Sequence, residues 1–136
     1  MKVEQLLIDK LLNDIYNEQM ISKVYSKWKY RNEENKRFST YLKYNKFNCA
    51  AIYGLGRIGR DLYYELVKDG VEISFLADRF SNEMFDGREV LGICDVWPYT
   101  DVVIVTQITD IDGVYRDIKG KNDGATISFI KYILGE

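Results

Sequence analysis

Residues 52–59 read Ile-Tyr-Gly-Leu-Gly-Arg-Ile-Gly, which sets Gly54, Gly56 and Gly59 at the spacing G-x-G-x-x-G. The loop follows an apolar run at 50–53 and opens a helix-patterned segment at 57–68. At that spacing the first glycine permits a tight strand-to-helix turn and the second lets a pyrophosphate approach the backbone. The third lets the helix pack closely on the strand. Leu55, Arg57 and Ile58 complete the loop, whose free N–H groups face the phosphates. A second strand expected over 71–77 ends at Asp78, where a carboxylate can accept hydrogen bonds from ribose hydroxyls. The bland reading of Asp78 is a turn or helix cap. Arg57 and Arg60, in the first turns of the helix, either pair with phosphates or stay solvated, and solvation is favoured for Arg60.

Several chemistries lack their raw materials. The chain has no histidine, so the usual base near neutral pH is missing, as are the Ser-His and Cys-His arrangements. Two cysteines, Cys49 and Cys94, stand far apart without a C-x-x-C, which argues for reduced thiols and against a zinc site or disulfide framework. Tyr-x-x-x-Lys, a dehydrogenase catalytic pair, occurs at Tyr25/Lys29, Tyr64/Lys68 and Tyr115/Lys119. With 11 tyrosines such matches arise by chance, and none is well placed relative to the glycine loop.

The 136 residues have room for one domain with a real core, and 46% apolar and 14% aromatic residues argue for a globular chain. No apolar stretch approaches a bilayer span, and Asp9, Lys10 and Asp14 interrupt the start as no signal peptide core would tolerate, so a cytoplasmic protein without membrane contact is expected. The net charge is −2, with a basic excess in residues 1–46 and an acidic excess in 47–136. A nucleic-acid partner would want a denser basic stripe, and none is expected.

The elements that must hold the loop divide at residue 46. Before it, Leu7, Leu11 and Ile15, then Met20, Ile21, Val24, Tyr25 and Trp28, recur at three- and four-residue intervals, which predicts an amphipathic helix with a break near Asn17. A polar turn at 30–34 leads to a second helix over 33–45 with Phe38, Tyr41 and Leu42 inward. Two roles stand open for this helical segment: packing on the sheet, or pairing with another chain as a homodimer. After Asp78 the stretch 79–88 is polar and glycine-punctuated, 89–93 is a short strand, and 101–106 is a β-branched run expected at the centre of a sheet. A helix over 110–119, a last strand over 125–129 and a short C-terminal segment, 130–134, complete the chain. The order predicts an α/β fold: a Rossmann-like, three-layer parallel sheet of about five strands over 47–136, preceded by the helical segment 1–46. A degenerate domain of that kind, which keeps the loop's shape and binds nothing, is the competing expectation.

The runs Ile52-Tyr-Gly-Leu-Gly-Arg-Ile-Gly-Arg60, Leu62-Tyr-Tyr-Glu-Leu66, Phe75-Leu-Ala-Asp-Arg79, Gly87-Arg-Glu-Val-Leu91 and Asp101-Val-Val-Ile-Val-Thr106 carry a resemblance. Together they resemble the small Rossmann-like domains attached to bacterial polysaccharide-biosynthesis proteins: nucleotide-sugar epimerase/dehydratase-like proteins, sugar acyltransferases and some glycosyltransferases. The resemblance implies that Gly54, Gly56, Gly59 and Asp78 hold a nucleotide or UDP-sugar, with Thr106 and Gln107 lining the same crevice. The acyltransferases' catalytic histidine and hexapeptide repeats are missing here, so their activity does not carry over. The loop is also similar to NAD-binding regulatory domains of potassium transport systems and to NADH-reading repressors, which would make the chain a sensor. Asp78 favours NAD over NADP, because a carboxylate repels a 2′-phosphate; Arg79 beside it softens that preference.

Overall fold

The computed structural model describes residues 2–80 and 83–135. Met1 and Glu136, and the Ser81-Asn82 pair inside the polar stretch expected over 79–88, lie outside the described residues.

Helix α1 runs unbroken for 31 residues, Val3–Glu33. The break expected at Asn17 does not occur: one asparagine costs a helix interior only a few tenths of a kcal/mol, by roughly its propensity difference, too little to stop it. What stops α1 is Asn35, which adopts φ 59° just beyond the last turn. Lys36 N donates to Arg31 O at 2.7 Å and Asn35 N to Asn32 O at 3.2 Å, a Schellman ending. The turn therefore falls later than expected, and α2 spans only Phe38–Tyr44.

Six strands form one sheet among the described residues: β1 Cys49–Tyr53, β2 Glu72–Ala77, β3 Met84–Phe85, β4 Arg88–Leu91, β5 Val102–Val105 and β6 Ala125–Ser128, in the order β3-β4-β2-β1-β5-β6. Five run parallel, and β3 pairs antiparallel with β4. The additional strand comes from Asp86-Gly87, both at positive φ, which close a two-residue hairpin of the kind Asp-Gly favours. Helices α3 Arg57–Lys68, α4 Ile111–Ile118 and α5 Phe129–Leu134 complete the fold. Among the described residues the β2–β4 and β4–β5 connections carry no helix.

The sheet is buried on both faces because its strands are nearly uninterrupted apolar runs. On one face Ala50, Ile52, Leu76, Val90 and Ile104 meet Leu62 and Leu66 of α3, Phe129 and Ile133 of α5, Phe38 and Leu42 of α2, and Val24 and Trp28 of α1. The second half of α1 thus shares this core. Phe129 lies edge-on to Trp28 and Phe38, at ring-centroid distances of 4.8 and 5.0 Å. On the other face Ala51, Tyr53, Phe75, Val103 and Val105 pack against Val114 and Ile118 of α4. Trp97, from the helix-free connection, fills the place that a second helix would take there. Its indole N–H donates to Gly92 O at 2.9 Å. A one-residue bulge in β2 at Ser74 keeps the two sets of side chains on their own faces: Ala50 pairs with Ile73, and Ala51 with Phe75.

Candidate functional site

The glycine loop leaves the carboxyl end of β1, whose two neighbours, β2 and β5, lead away to opposite sides of the sheet. In an open parallel sheet this is where a crevice forms. Both neighbours clamp the loop. Thr106, just past β5, donates from N to Tyr53 O (3.1 Å) and from Oγ1 to Gly54 O (2.7 Å). From the β2 side, Gly54 N donates to Ala77 O (2.9 Å) and Leu55 N to Asp78 Oδ2 (2.9 Å). The Arg60 guanidinium reaches back to Leu55 O at 2.9 Å, so it serves the loop's shape and is not merely solvated.

The three glycines have different physical reasons. Gly54 sits at φ 104°, where a side chain is strained, and a Cβ there would lie 2.6 Å from Thr106 Oγ1. A Cβ on Gly59 would lie 1.9 Å from Gly54 O, so the helix could not approach the loop as it does. Gly56 has nothing within 4 Å of its Cβ position and caps α3 without any side chain. The first backbone bond of α3 runs from Arg60 N to Gly56 O at 3.0 Å. The amides before it at the helix start have no intrahelical acceptor and carry the positive end of the helix dipole.

Those amides open on a cavity of about 330 Å³. Gly54, Leu55, Gly56, Arg57, Ile58, Gly59, Asp78, Thr106 and Gln107 all line it. Arg79 does not; it is exposed, with its guanidinium 5.8 Å above the Phe80 ring. Asp78 Oδ1 also accepts from Arg79 N at 2.7 Å, so each carboxylate oxygen already holds one backbone N–H and retains capacity for one more donor. The Asp78 side chain is therefore a loop brace as well as a cavity wall.

Four lining residues were not expected from the sequence: Ile108 and Thr109, which continue the loop after β5, and Asn17 and Ile21 of α1. Asn17 Oδ1 is buried with no hydrogen-bond partner. A signal for it existed. Asn17, Ile21, Val24 and Trp28 fall at helical spacing on one face, so Asn17 is a polar residue on the inward stripe, which is a mark of function more than of a helix break. Helix α1 is held to α3 beside the cavity by Tyr25, whose hydroxyl donates to Asp61 Oδ2 at 2.5 Å and whose ring lies 5.4 Å from the Arg57 guanidinium carbon. Burial, reinforced by the Asp61 carboxylate, pushes the Tyr25 hydroxyl up to about 12. It stays a proton donor at all ordinary pH.

A wider groove of about 460 Å³ lies between α1 and α3 farther from the loop. Its donors are engaged within the groove, Trp28 Nε1 and Asn32 Nδ2 both donating to Glu65 Oε1 at 3.1 and 2.7 Å, while Asn32 Oδ1 is buried there with no hydrogen-bond partner. The groove holds the helices together and offers no comparable set of free donors.

Among the described residues no cluster of three or more metal-ligating side chains occurs, and no helix is long and apolar enough to cross a membrane. No protein-family model, curated protein or solved structure matches the chain.

Proposed function

We propose that this chain is a Rossmann-like nucleotide-binding module that holds NAD or a nucleotide-sugar at the start of α3. The observation that carries the reading is Gly56: its amide neighbours lack intrahelical acceptors, no side chain caps them, and the space a Cβ would enter is open to a 330 Å³ cavity. Unpaired amides at a helix start form a ready anion site, and a nucleotide's phosphate supplies the anion. The strand order supports the same reading, since the parallel strands alone run β4-β2-β1-β5-β6 with the glycine loop at the reversal point. Asp78 then accepts from a ribose hydroxyl with its remaining lone pairs, which favours NAD over NADP. The buried amide of Asn17 gives the ligand a polar contact from α1. The volume is near the lower end of small-molecule sites, so the enclosed part is the phosphate and ribose, with the rest of the ligand lying over the rim.

The resemblance to polysaccharide-biosynthesis domains extends the proposal to an accessory role in sugar-nucleotide metabolism, and the likeness to NAD-reading domains extends it to a sensor. A second reading, a structural module with an empty loop, is favoured by the two backbone amides that already occupy Asp78. A thermal-shift panel of NAD, NADH, NADP, UDP, UDP-sugars and coenzyme A separates these. A module or sensor gains stability with one class of ligand, and a sensor does so unequally for NAD and NADH. No shift with any member leaves the structural reading.

A further inference from the structure

Among the described residues the first half of α1 has no partner within the chain. Every residue from 2 to 16 is exposed, whereas the same helix enters the core from Ile21 onward. Yet this arm is rich in large apolar side chains: Val3, Leu6, Leu7, Ile8, Leu11, Leu12, Ile15 and Tyr16 are each between 46% and 68% exposed. Five of them, Leu7, Ile8, Leu11, Leu12 and Ile15, share one face of the helix, and at roughly 100 Å² of exposed surface each they amount to about 500 Å². That is the size of the largest, often functional, apolar patches of monomers, and two such stripes together reach the roughly 1,000 Å² that a specific interface needs.

The arm's apolar stripe is a separate face and no continuation of the buried one. Leu7, Leu11 and Ile15 follow one another at four-residue steps, flanked by Ile8 and Leu12. Leu7 precedes Val24, and Leu11 precedes Trp28, by an interval that turns the stripe roughly 100° about the helix axis from the side that meets the sheet. When α1 docks on its own domain, this stripe therefore points elsewhere. On the arm's other sides, Gln5 donates to Asp9 Oδ1 at 2.8 Å and Lys10 to Asp14 Oδ2 at 3.1 Å, so polar side chains pair along the helix and leave the apolar side clear.

The geometry points to a second copy of this chain as the occupant, the two arms packing stripe to stripe about a two-fold axis. An arm of about 14 residues is roughly 21 Å long, enough for the ridges of two helices to interlock over several turns. A two-fold pair matches identical stripes to each other and is the commonest closed assembly. A lipid surface fits worse: the arm's acids, Glu4, Asp9 and Asp14, outnumber Lys2 and Lys10, and membrane-surface helices carry a basic polar face. This pairing is independent of any nucleotide.

The test is sedimentation of the full chain at micromolar concentration, beside a Leu7→Glu/Leu11→Glu variant. Both side chains lie outside the core, so the variant should stay folded, keep the fluorescence of buried Trp28 and melt lower only by the stabilisation that pairing supplies. Four carboxylates facing one another across the pair should weaken association by about 100-fold or more. The expected result is a dimer for the native chain and a monomer for the variant. A native chain that sediments as a monomer overturns the proposal, and so does a dimer that survives the two substitutions or an assembly larger than two. A monomer that floats with phosphatidylcholine/phosphatidylserine vesicles overturns it in favour of a lipid surface.

Discussion

Gly56 and Gly59, three residues apart in one loop, should respond oppositely to the same added methyl group. At Gly59 the new Cβ would meet the Gly54 carbonyl oxygen at 1.9 Å, a backbone atom that cannot swing away, so helix and loop must separate by about an ångström or more. Overpacking against a backbone atom this close belongs at the upper end of the usual cost, about 2–3 kcal/mol, partly offset by the roughly 1 kcal/mol that alanine gains over glycine in a helix. The net loss expected for Gly59→Ala is about 1–2 kcal/mol, near a 3–8 °C fall in Tm for a domain of this size. At Gly56 the same methyl meets nothing within 4 Å, and the residue has φ −72°, which any L-residue adopts. A small loss from a poorer cap is offset by reduced freedom of the unfolded chain, so Gly56→Ala should stay within about 0.5 kcal/mol of the native chain. Its effect falls on the ligand: Gly56→Val covers the helix-start amides and should erase any nucleotide-dependent gain, which at a hundredfold excess over Kd is about 2.7 kcal/mol. Urea unfolding of the three variants, with and without nucleotide, measures all of this. The reasoning is refuted if Gly59→Ala is as stable as the native chain, or if Gly56→Val unfolds the apo protein as severely as Gly59→Ala.

Two further predictions follow from side chains on either side of the loop. Asp78→Ala removes the acceptor of the half-buried Leu55 amide and should destabilise the chain by about 1–2 kcal/mol; if the proposed site is right, it also narrows the gap in affinity between NAD and NADP, which a titration calorimeter would read. Asp69 is half-buried, and burial alone would raise its carboxyl, but hydrogen bonds from Arg37 (2.8 and 3.0 Å) and Ser39 (2.7 Å) outweigh burial and hold it below the usual carboxylate range. A depressed carboxyl contributes stability that is complete above its unfolded value, about 3.9 for aspartate, and is lost as pH falls through the lower folded value. Asp69→Asn should therefore cost about 1 kcal/mol at neutral pH, discounted for the partly exposed Arg37, with the difference closing in strong acid. A constant difference from pH 7 to pH 2 in chemical unfolding would contradict the assignment.

The run from β1 through the glycine loop and α3 to β2 was legible because its signals are local. Apolar runs, the glycine spacing and a terminal acid each act within a few residues of themselves, and the strands lie within one or two residues of where their patterns end. The hairpin at Asp86-Gly87 was legible in principle but hidden by the polar residues around it. Arg60 was misjudged because the acceptor for its guanidinium, the Leu55 carbonyl, exists only once the loop has bent back on itself.

Sequence alone determined the course of the chain from β1 through the glycine loop and α3 to β2 and the doubly buried character of the central strands, since turn-forming glycines and uninterrupted apolar runs are properties of a segment by itself. It did not determine what lies over the cavity. That was decided by the path of α1, an unbroken helix whose second half joins the sheet's core and whose Asn17 and Ile21 are thereby carried onto the rim of a loop far along the chain. Helix direction depends on which of two apolar stripes finds the sheet, and only the packed core selects between them.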